Sequence, residues 1–241
     1  MSPPVDSGAA AVELSSVSKQ YGALRPLRIA ALSVEPGDRV ALSGLDRRAA
    51  ETFVNLVNGA LVPDAGTVRI FGRATAEITD GEAWLASLDA FGVVTERAVL
   101  LEGSTLAMNL ALPLSLEIDP MPAAIRQQVD ALAAEVDLPA DRLDRPVGDA
   151  PALVRLRAHF AKAIALGPKV LLLEHPTASL EPTDARAFAE TVRGVAERRR
   201  LALVALTEDG VFADVIATRA YKLNGGTGAL TSTRGWRRFL S

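Results

Sequence analysis

The chain contains no cysteine and only two histidines, His159 and His175, among its 241 residues. Disulfide bonds, thiolate metal sites and cysteine nucleophiles are therefore excluded, and two histidines argue against a metal site built from imidazoles. Neither sign of charge dominates, because 26 basic residues face 29 acidic ones and the net charge is −3. Such a balance gives no case for a nucleic-acid surface, and we expect no nucleic-acid partner.

Long apolar runs are also missing. The longest, residues 105–118, is shorter than a bilayer requires and is interrupted by Asn109 and Pro113. Residues 1–10 lack the charged and apolar regions of a secretory signal. We therefore expect a soluble intracellular protein, which can still attach to a partner in a membrane.

The hydrophobic residues that are present, 49% of the chain, suffice for one sizeable core. Two unbroken apolar runs, KVLLL and LALVAL, indicate strands covered on both faces, as in a parallel sheet. Periodicity predicts strands near 12–17, 28–34, 39–43, 67–71, 169–173, 201–206 and 216–223. It predicts helices at 48–58, 80–89, 122–137, 151–166 and 183–200. This alternation predicts an α/β fold.

The segment from about 103 to 150 differs from the rest. It contains several prolines and two helical patterns, STLAMNLAL and MPAAIRQQVDALAAEV, without a buried strand. We interpret it as a helical subdomain inserted in a domain that spans 12–232. Residues 1–11 are predicted to be a disordered tail. The C-terminal tail, 233–241, mixes arginine with aromatic residues, and either forms a packed or loose tail or contacts lipid headgroups or a partner.

One stretch, ALSGLDRRAAETFVNLVNG at 41–59, has the layout of a phosphate-binding loop. An apolar strand reaches a Ser-Gly pair, a short polar turn follows, and an apolar-periodic helix begins. Free N–H groups and the helix dipole favour an anion at such a junction. Residues 45–52, however, read LDRRAAET, where a working loop carries glycines, a lysine and a serine. Layout and chemistry therefore disagree.

Four segments carry a resemblance across nearly the whole chain. They are ELSSVSKQYG at 13–22, VNLVNGALVPDAGTVRIFG at 54–72, ALGPKVLLLEHPTASLEP at 165–182 and ALTEDGVFAD at 205–214. In this order they resemble the ATP-binding subunit of an ABC transporter, from about residue 12 to 232. The resemblance implies a P-loop NTPase-like α/β fold with a mostly parallel sheet core, an antiparallel N-terminal β region and an inserted helical subdomain.

The resemblance also assigns nucleotide-binding positions. The adenine-stacking aromatic falls on Tyr21, and only Gly44 and Thr52 of the phosphate-loop motif are retained. The family's two further glycines, its lysine and its Mg²⁺-ligating hydroxyl fall on Arg47, Ala49, Ala50 and Glu51. A side chain at positive φ costs on the order of 1–2 kcal/mol, and a lost charge-assisted contact roughly 1.5–3 kcal/mol. These replacements argue against tight ATP binding by the usual geometry.

The remaining motifs are altered as well. The Q-loop glutamine falls on Glu96, the Walker B aspartate on Glu174, the catalytic glutamate on His175 and the switch histidine on Glu208. The signature positions fall on Ala150, Pro151, Ala152, Leu153 and Val154. His175 and Glu208 thus carry the two catalytic residue types in exchanged places. We expect them to face each other through a charge-assisted hydrogen bond, unless the exchange is unrelated drift.

The charges around the predicted pocket leave two questions open. Arg47 and Arg48 are either a solvated pair or replacements for the lysine that hold a phosphate by their planar guanidinium groups. Four carboxylates would repel a polyphosphate: Glu51, Glu96, Glu174 and Glu208. The same carboxylates, with Glu51, Glu96 and Glu174 as the candidate ligands, could instead bind Mg²⁺ or Ca²⁺ without nucleotide.

The resemblance implies a cytoplasmic subunit, peripheral on the inner face of the membrane, that docks on a membrane permease through the segment 103–150. It implies a head-to-tail dimer with itself or with a related ATP-binding subunit, and ATP and Mg²⁺ as cofactors. The altered motifs favour weakened or lost ATP binding and hydrolysis, and permit a chain that holds no cofactor. The alternative is a nucleotide-free pseudo-ATPase that regulates or scaffolds a transporter complex.

Overall fold

The computed structural model describes residues 9–95 and 97–233. Within these residues the strands are β1 (Val12–Lys19), β2 (Leu27–Val34), β3 (Arg39–Ser43), β4 (Ala65–Ile70), β5 (Arg73–Ala74), β6 (Phe91–Val94), β7 (Val170–Glu174), β8 (Ala202–Leu206), β9 (Arg219–Leu223) and β10 (Leu230–Ser232). The α-helices are α1 (Arg47–Val57), α2 (Gly81–Leu88), α3 (Leu106–Ala111), α4 (Ala123–Glu135), α5 (Ala152–Ile164), α6 (Pro182–Arg199) and α7 (Gly210–Ile216).

Two sheets organise these elements. The first has the order β2-β1-β4-β5 and is antiparallel throughout. The second has the order β10-β9-β3-β8-β7-β6, in which all neighbours are parallel except the edge pair β10 and β9. The predicted α/β class, with a mostly parallel core and an antiparallel N-terminal β region, is therefore confirmed.

The central strand β7 shows why its apolar run is unbroken. All five of its residues are buried, and successive side chains point to opposite faces of the sheet. Val170 and Leu172 join a core that also contains α1 and the antiparallel sheet. Leu171 and Leu173 join the other core, formed with the helices. Both faces are covered, as the sequence predicted.

The helical side holds the second core. Residues 97–150 contain α3, α4 and short 3-10 turns, and the structure describes no strand among them. Leu110 and Val129, both fully buried, pack with Phe160 of α5 in this core. Phe160 meets Phe188 edge to face at a ring-centroid distance of 5.8 Å, and Phe188 stacks on Phe212 at 6.0 Å. The helical texture predicted for 103–150 therefore corresponds to helices.

Four elements were not predicted: β5, β6, β10 and α7. Strand β6 has only four residues and contains Gly92, which weakens its signal. A Cβ at Gly92 would lie 2.5 Å from the Ala163 carbonyl oxygen, so α5 approaches the strand closely there. Helix α7 is short, and Asp209 caps it by accepting hydrogen bonds from the N–H groups of Val211 and Phe212. The strand predicted from 216 therefore begins only at Arg219.

The tails lie mostly outside the described residues. Residues 1–8 and 234–241, and Glu96 between the two described ranges, belong to this part. Ala11, which was assigned to a disordered tail, is fully buried, and its N–H donates to the Val34 carbonyl oxygen at 2.8 Å. In the ranges 9–95 and 97–233, no helix has both the length and the apolar character that a bilayer crossing requires.

We predict that Asn109→Ala destabilises the helical side by about 2 kcal/mol. Asn109 is fully buried, its Oδ1 accepts from the Leu101 N–H at 2.8 Å, and its Nδ2 donates to the carbonyl oxygens of Leu101 and Thr105. Urea unfolding followed by circular dichroism measures the change. Gln128→Ala on the exposed face of α4 is the matched control and should stay within about 0.5 kcal/mol of the wild type. Equal effects of the two variants would contradict the prediction.

Candidate functional site

Three of the predicted site residues, Gly44, Glu174 and Glu208, lie at one edge of the larger sheet. Strands β3, β8 and β7 are parallel neighbours, so their carboxyl ends lie side by side. Gly44 follows β3, Glu174 is the last residue of β7, and Glu208 lies just beyond β8. The crevice beyond the carboxyl ends of parallel strands is the usual ligand position in such sheets.

The connection between β3 and α1 has only three residues, 44–46. Gly44 has a φ of +88°, and a Cβ there would lie 2.6 Å from the Leu223 carbonyl oxygen, so glycine is required twice over. The next residue, Leu45, is buried. Most of the stretch predicted to form the loop is therefore the start of α1: Arg47, Arg48, Ala50, Glu51 and Thr52.

The N-terminus of α1 is capped by the chain itself. The Asp46 carboxylate accepts a hydrogen bond from the Ala49 N–H at 2.8 Å. A carboxylate at this position satisfies a free N–H and interacts favourably with the helix dipole. It also puts a negative charge where an incoming phosphate would have to lie.

Glu208 engages the loop from the other side. Its Oε1 accepts a hydrogen bond from the Gly44 N–H at 2.6 Å. The carboxylate thus binds a backbone donor of the β3–α1 connection. Two donors of the predicted phosphate loop, on Gly44 and Ala49, are bonded to acidic side chains.

Arg97 joins two further carboxylates. Its guanidinium Nη1 lies 2.9 Å from Glu51 Oε1 on α1, and its Nη2 lies 2.8 Å from Glu174 Oε2 at the end of β7. The Glu174 side chain is only 8% exposed, whereas Glu51 and Arg97 are both 45% exposed. One guanidinium therefore bridges a helix and a central strand, and supplies the counter-charge of a buried acid.

The surroundings of Glu174 disfavour the ionised form of its carboxyl. Burial raises the pKa of its carboxyl, and the charge of Glu51 acts in the same direction. The Arg97 guanidinium, a hydrogen bond from Thr95 and the charge of His175 lower the pKa but do not cancel the effect of burial. The ionised carboxylate is therefore less favourable in the folded chain than in water.

His175 directly follows β7 in the left-handed region, with a φ of +43°. Its N–H donates to the Leu206 carbonyl oxygen at 2.8 Å, which holds this backbone in place. The buried Nε2 has no hydrogen-bond partner among the residues that the structure describes. Glu208 Oε1 accepts from the Gly44 N–H, and among the described residues the hydrogen bond predicted between His175 and Glu208 is not formed.

A groove of about 400 Å³ lies beside this edge. Its lining includes Tyr21, Arg25, Arg28, Ala49 and Asn224. Burial raises the pKa of the Tyr21 phenol, and the nearby Asp46 carboxylate adds to the change. The predicted aromatic thus faces an open groove next to the start of α1.

Comparison with curated proteins finds related sequences. The chain is 30% identical over 204 residues to the methionine import ATP-binding protein MetN 2 of Paraburkholderia xenovorans, which covers 83% of this chain and 52% of that protein. It is 28% identical over 226 residues to the ribose import ATP-binding protein RbsA of a Chelativorans species, covering 92% of this chain and 42% of that protein. The chain thus spans about half the length of these relatives. No protein-family profile matches the sequence.

Solved structures share the fold. The post-hydrolysis dimer of the ATP-binding cassette MJ0796, bound to ADP and Pi, superposes with a TM-score of 0.74 at 21% identity, over 93% of this chain and 99% of that one. The cbiO1 protein of Clostridium perfringens, part of the ABC transporter complex cbiONQ, gives 0.80 at 16% identity, over 97% and 92% of the two chains. The chain is a homologue of ABC transporter ATP-binding subunits.

The predicted signature positions begin a different helix from the predicted phosphate-loop positions. Pro151 is the N-cap of α5 and makes no side-chain capping bond, and Ala152 is its first residue. Pro151 and Ala152 are exposed, Ala150 and Leu153 are partly buried, and Val154 is buried in the helical-side core. Within one chain these five residues are a helix start without a hydroxyl or a charged group.

Two of the three proposed metal ligands lie near each other in the structure. Glu51 and Glu174 do approach a common point, but the group between them is Arg97. Glu96, the third proposed ligand, lies outside the described residues. Over 9–95 and 97–233 no cluster of three or more acidic, histidine or cysteine side chains could hold a metal ion.

Three residues at the site were not predicted from the sequence: Asp46, Arg97 and Asp209. Asp46 carries a detectable signal, because an aspartate directly before an apolar-periodic helix is a typical N-cap. Asp209 carries the same signal before α7, and its Oδ2 also accepts from the Thr177 hydroxyl at 2.8 Å. Arg97 has no local signal, since both of its partners are distant in sequence.

We predict that Gly44→Ala destabilises the protein by at least about 1 kcal/mol more than Gly22→Ala does. Both glycines have a similar φ, +88° and +83°, so the backbone penalty is shared. Only Gly44 has a backbone oxygen where the Cβ would go, whereas nothing lies within 4 Å of a Cβ at Gly22. Thermal unfolding of both variants checks this, and equal melting temperatures would contradict the close contact.

We predict that Glu174→Gln gains stability relative to the wild type as the pH rises. A carboxyl whose pKa is raised by folding stabilises the folded state below its ordinary value of 4.5, and this contribution is lost as the pH rises through the raised value. The amide does not titrate, so the difference between the variants should move in its favour from about pH 4 to about pH 7. Urea unfolding at both pH values measures it, with the exposed Glu77→Gln as control. A shift in the opposite direction would contradict the argument.

Proposed function

We propose that this chain is the ATP-binding-cassette subunit of an import transporter in which ATP binding and hydrolysis are weakened or lost. Its relatives are named as ATP-binding proteins of methionine and ribose import, which supports the transport class. The observation that carries the weakened site is a set of internal contacts. The chain's own side chains take up the backbone donors and the cation position that a bound Mg²⁺–ATP would use.

A bound ATP would have to compete with contacts that the chain already makes. A polyphosphate would have to displace the Asp46 carboxylate from Ala49 and the Glu208 carboxylate from Gly44. It would gain no lysine contact, because that position is the buried Ala50. One lost charge-assisted contact of roughly 1.5–3 kcal/mol weakens binding about 10- to 150-fold. Displacing two carboxylates adds to this loss.

The residues at the base and switch positions, His175 and Glu208, bear on hydrolysis. Phosphoryl transfer depends on an oriented nucleophile and on stabilised charge, with little covalent chemistry by the protein. The base position carries His175, whose Nε2 is buried without a partner in the described chain. The switch position carries Glu208, which is bonded to Gly44. Both differ from the residue types that the family places at these positions, and Glu208 already bonds to a backbone donor.

The partners follow from the homology. We propose a dimer of this chain with itself or with a related subunit, and docking on a membrane permease from the cytoplasmic side. The neighbour MJ0796 is dimeric, and cbiO1 is part of a transporter complex. Exposed apolar side chains on the helical side, Val99, Leu101 and Leu116, give such a partner a surface.

The second candidate is a pseudo-ATPase that binds no nucleotide and scaffolds or regulates a transporter complex. The observation that favours it is the same set of contacts, since they are complete without any ligand. The two candidates differ in one measurable property, the affinity for ATP.

We expect isothermal titration of the purified chain to give a Kd for ATP of about 1 mM or weaker, and we expect Mg²⁺ not to tighten it. Glu208→Gln removes the negative charge that competes at Gly44, and should bind ATP more tightly than the wild type. Gln128→Ala on the exposed face of α4 is the control.

Micromolar, Mg²⁺-dependent binding by the wild type would overturn the weakened site. In that case Arg47→Ala/Arg48→Ala protein would test whether the two arginines hold the phosphate. No binding at millimolar ATP by either the wild type or Glu208→Gln would favour the pseudo-ATPase.

A further inference from the structure

The space between Glu51 and Glu174 is the one place at this edge where two carboxylates of the described chain share a partner. Each carboxylate bonds to a different nitrogen of the Arg97 guanidinium, Glu51 at 2.9 Å and Glu174 at 2.8 Å. The two acids come from α1 and from the end of β7, elements that are far apart in sequence. Without Arg97 their like charges would be left facing each other.

A divalent ion could also bind this pair of carboxylates, since Mg²⁺ and Mn²⁺ prefer oxygen ligands. Here the guanidinium occupies that space, and a second cation beside it would be repelled. The residues present therefore do not fit the metal that the family implies.

We propose that Arg97 is the built-in cation of this site and sets its cation specificity, so that the chain takes no divalent ion between Glu51 and Glu174. The inference goes beyond the proposed function, because it concerns the chain alone and holds whether or not a nucleotide binds.

Arg97 also links the helical side to α1 and β7. Its segment is fixed to the helical side at the far end, where Lys162 Nζ donates to the Val99 carbonyl oxygen at 3.0 Å and Arg155 pairs with Glu102. Arg97 fixes the near end to α1 and β7. The helical side is thus attached to the start of the phosphate-loop helix by the chain's own charge, with no ligand required.

The test uses Mn²⁺ as a probe on the full chain without nucleotide. Binding is followed by the loss of the free Mn²⁺ signal in electron paramagnetic resonance, and stability by the melting temperature. The proteins are the wild type, Arg97→Ala, Arg97→Ala/Glu174→Gln and the control Arg186→Ala, which breaks an exposed pair with Glu190. Because ATP is absent, failure here leaves the ATP titration unaffected, and the reverse also holds.

We expect the wild type and Arg186→Ala to bind no Mn²⁺ at millimolar concentration and to keep the same melting temperature within about 1 °C. Arg97→Ala should melt roughly 3–6 °C lower and recover at least half of this loss in millimolar Mn²⁺. In Arg97→Ala/Glu174→Gln the repulsion is gone, so the melting temperature should recover without Mn²⁺ and should not respond to it.

Two results would overturn the proposal. One is Mn²⁺ binding by the wild type as tight as by Arg97→Ala, since the guanidinium would then exclude nothing. The other is a folded Arg97→Ala protein whose melting temperature neither Mn²⁺ nor Glu174→Gln restores. If Arg97→Ala does not fold, Arg97→Gln/Glu174→Gln decides: a folded double variant supports a counter-charge role, and an unfolded one overturns it.

Discussion

The charge of Glu174 constrains the whole edge of the sheet. This carboxylate ends a central parallel strand with 8% of its side chain exposed, and a buried charge without a partner costs several kcal/mol. Arg97 provides the partner, and the same guanidinium neutralises Glu51. This single side chain therefore links the strand, the helix after β3 and the segment leading to α3.

The fold itself does not depend on that chemistry. Its stability comes from two apolar cores on opposite faces of the larger sheet, one shared with α1 and the antiparallel sheet and the other with the helical side. Glu174, His175 and Glu208 lie at the strand ends and belong to neither core, whereas Ala49 and Ala50 belong to the core shared with α1. The architecture that this chain shares with MJ0796 and cbiO1 therefore rests on the two cores.

The sequence predicted the α/β class because apolar periodicity records which faces are buried, and the unbroken runs at β7 and β8 indicate strands covered on both faces. The antiparallel N-terminal region and the inserted helices were implied by the resemblance. It did not predict β6, since four residues with Gly92 among them carry too weak a pattern. The sequence predicted where His175 and Glu208 lie along the chain, but not which groups they bond to. His175 and Glu208 were placed at the correct strand ends, yet the bond of Glu208 to Gly44 depends on loop conformation, which no spacing encodes.

Four acidic groups at this edge contact other groups of the chain itself. Asp46 is bonded to Ala49 and Glu208 to Gly44, while Glu51 and Glu174 share one arginine. Each of these contacts is made within the chain itself. A ligand shifts the balance between two states only by its differential affinity for them. An anion bound at this edge would therefore gain only the difference between its own contacts and those it replaces.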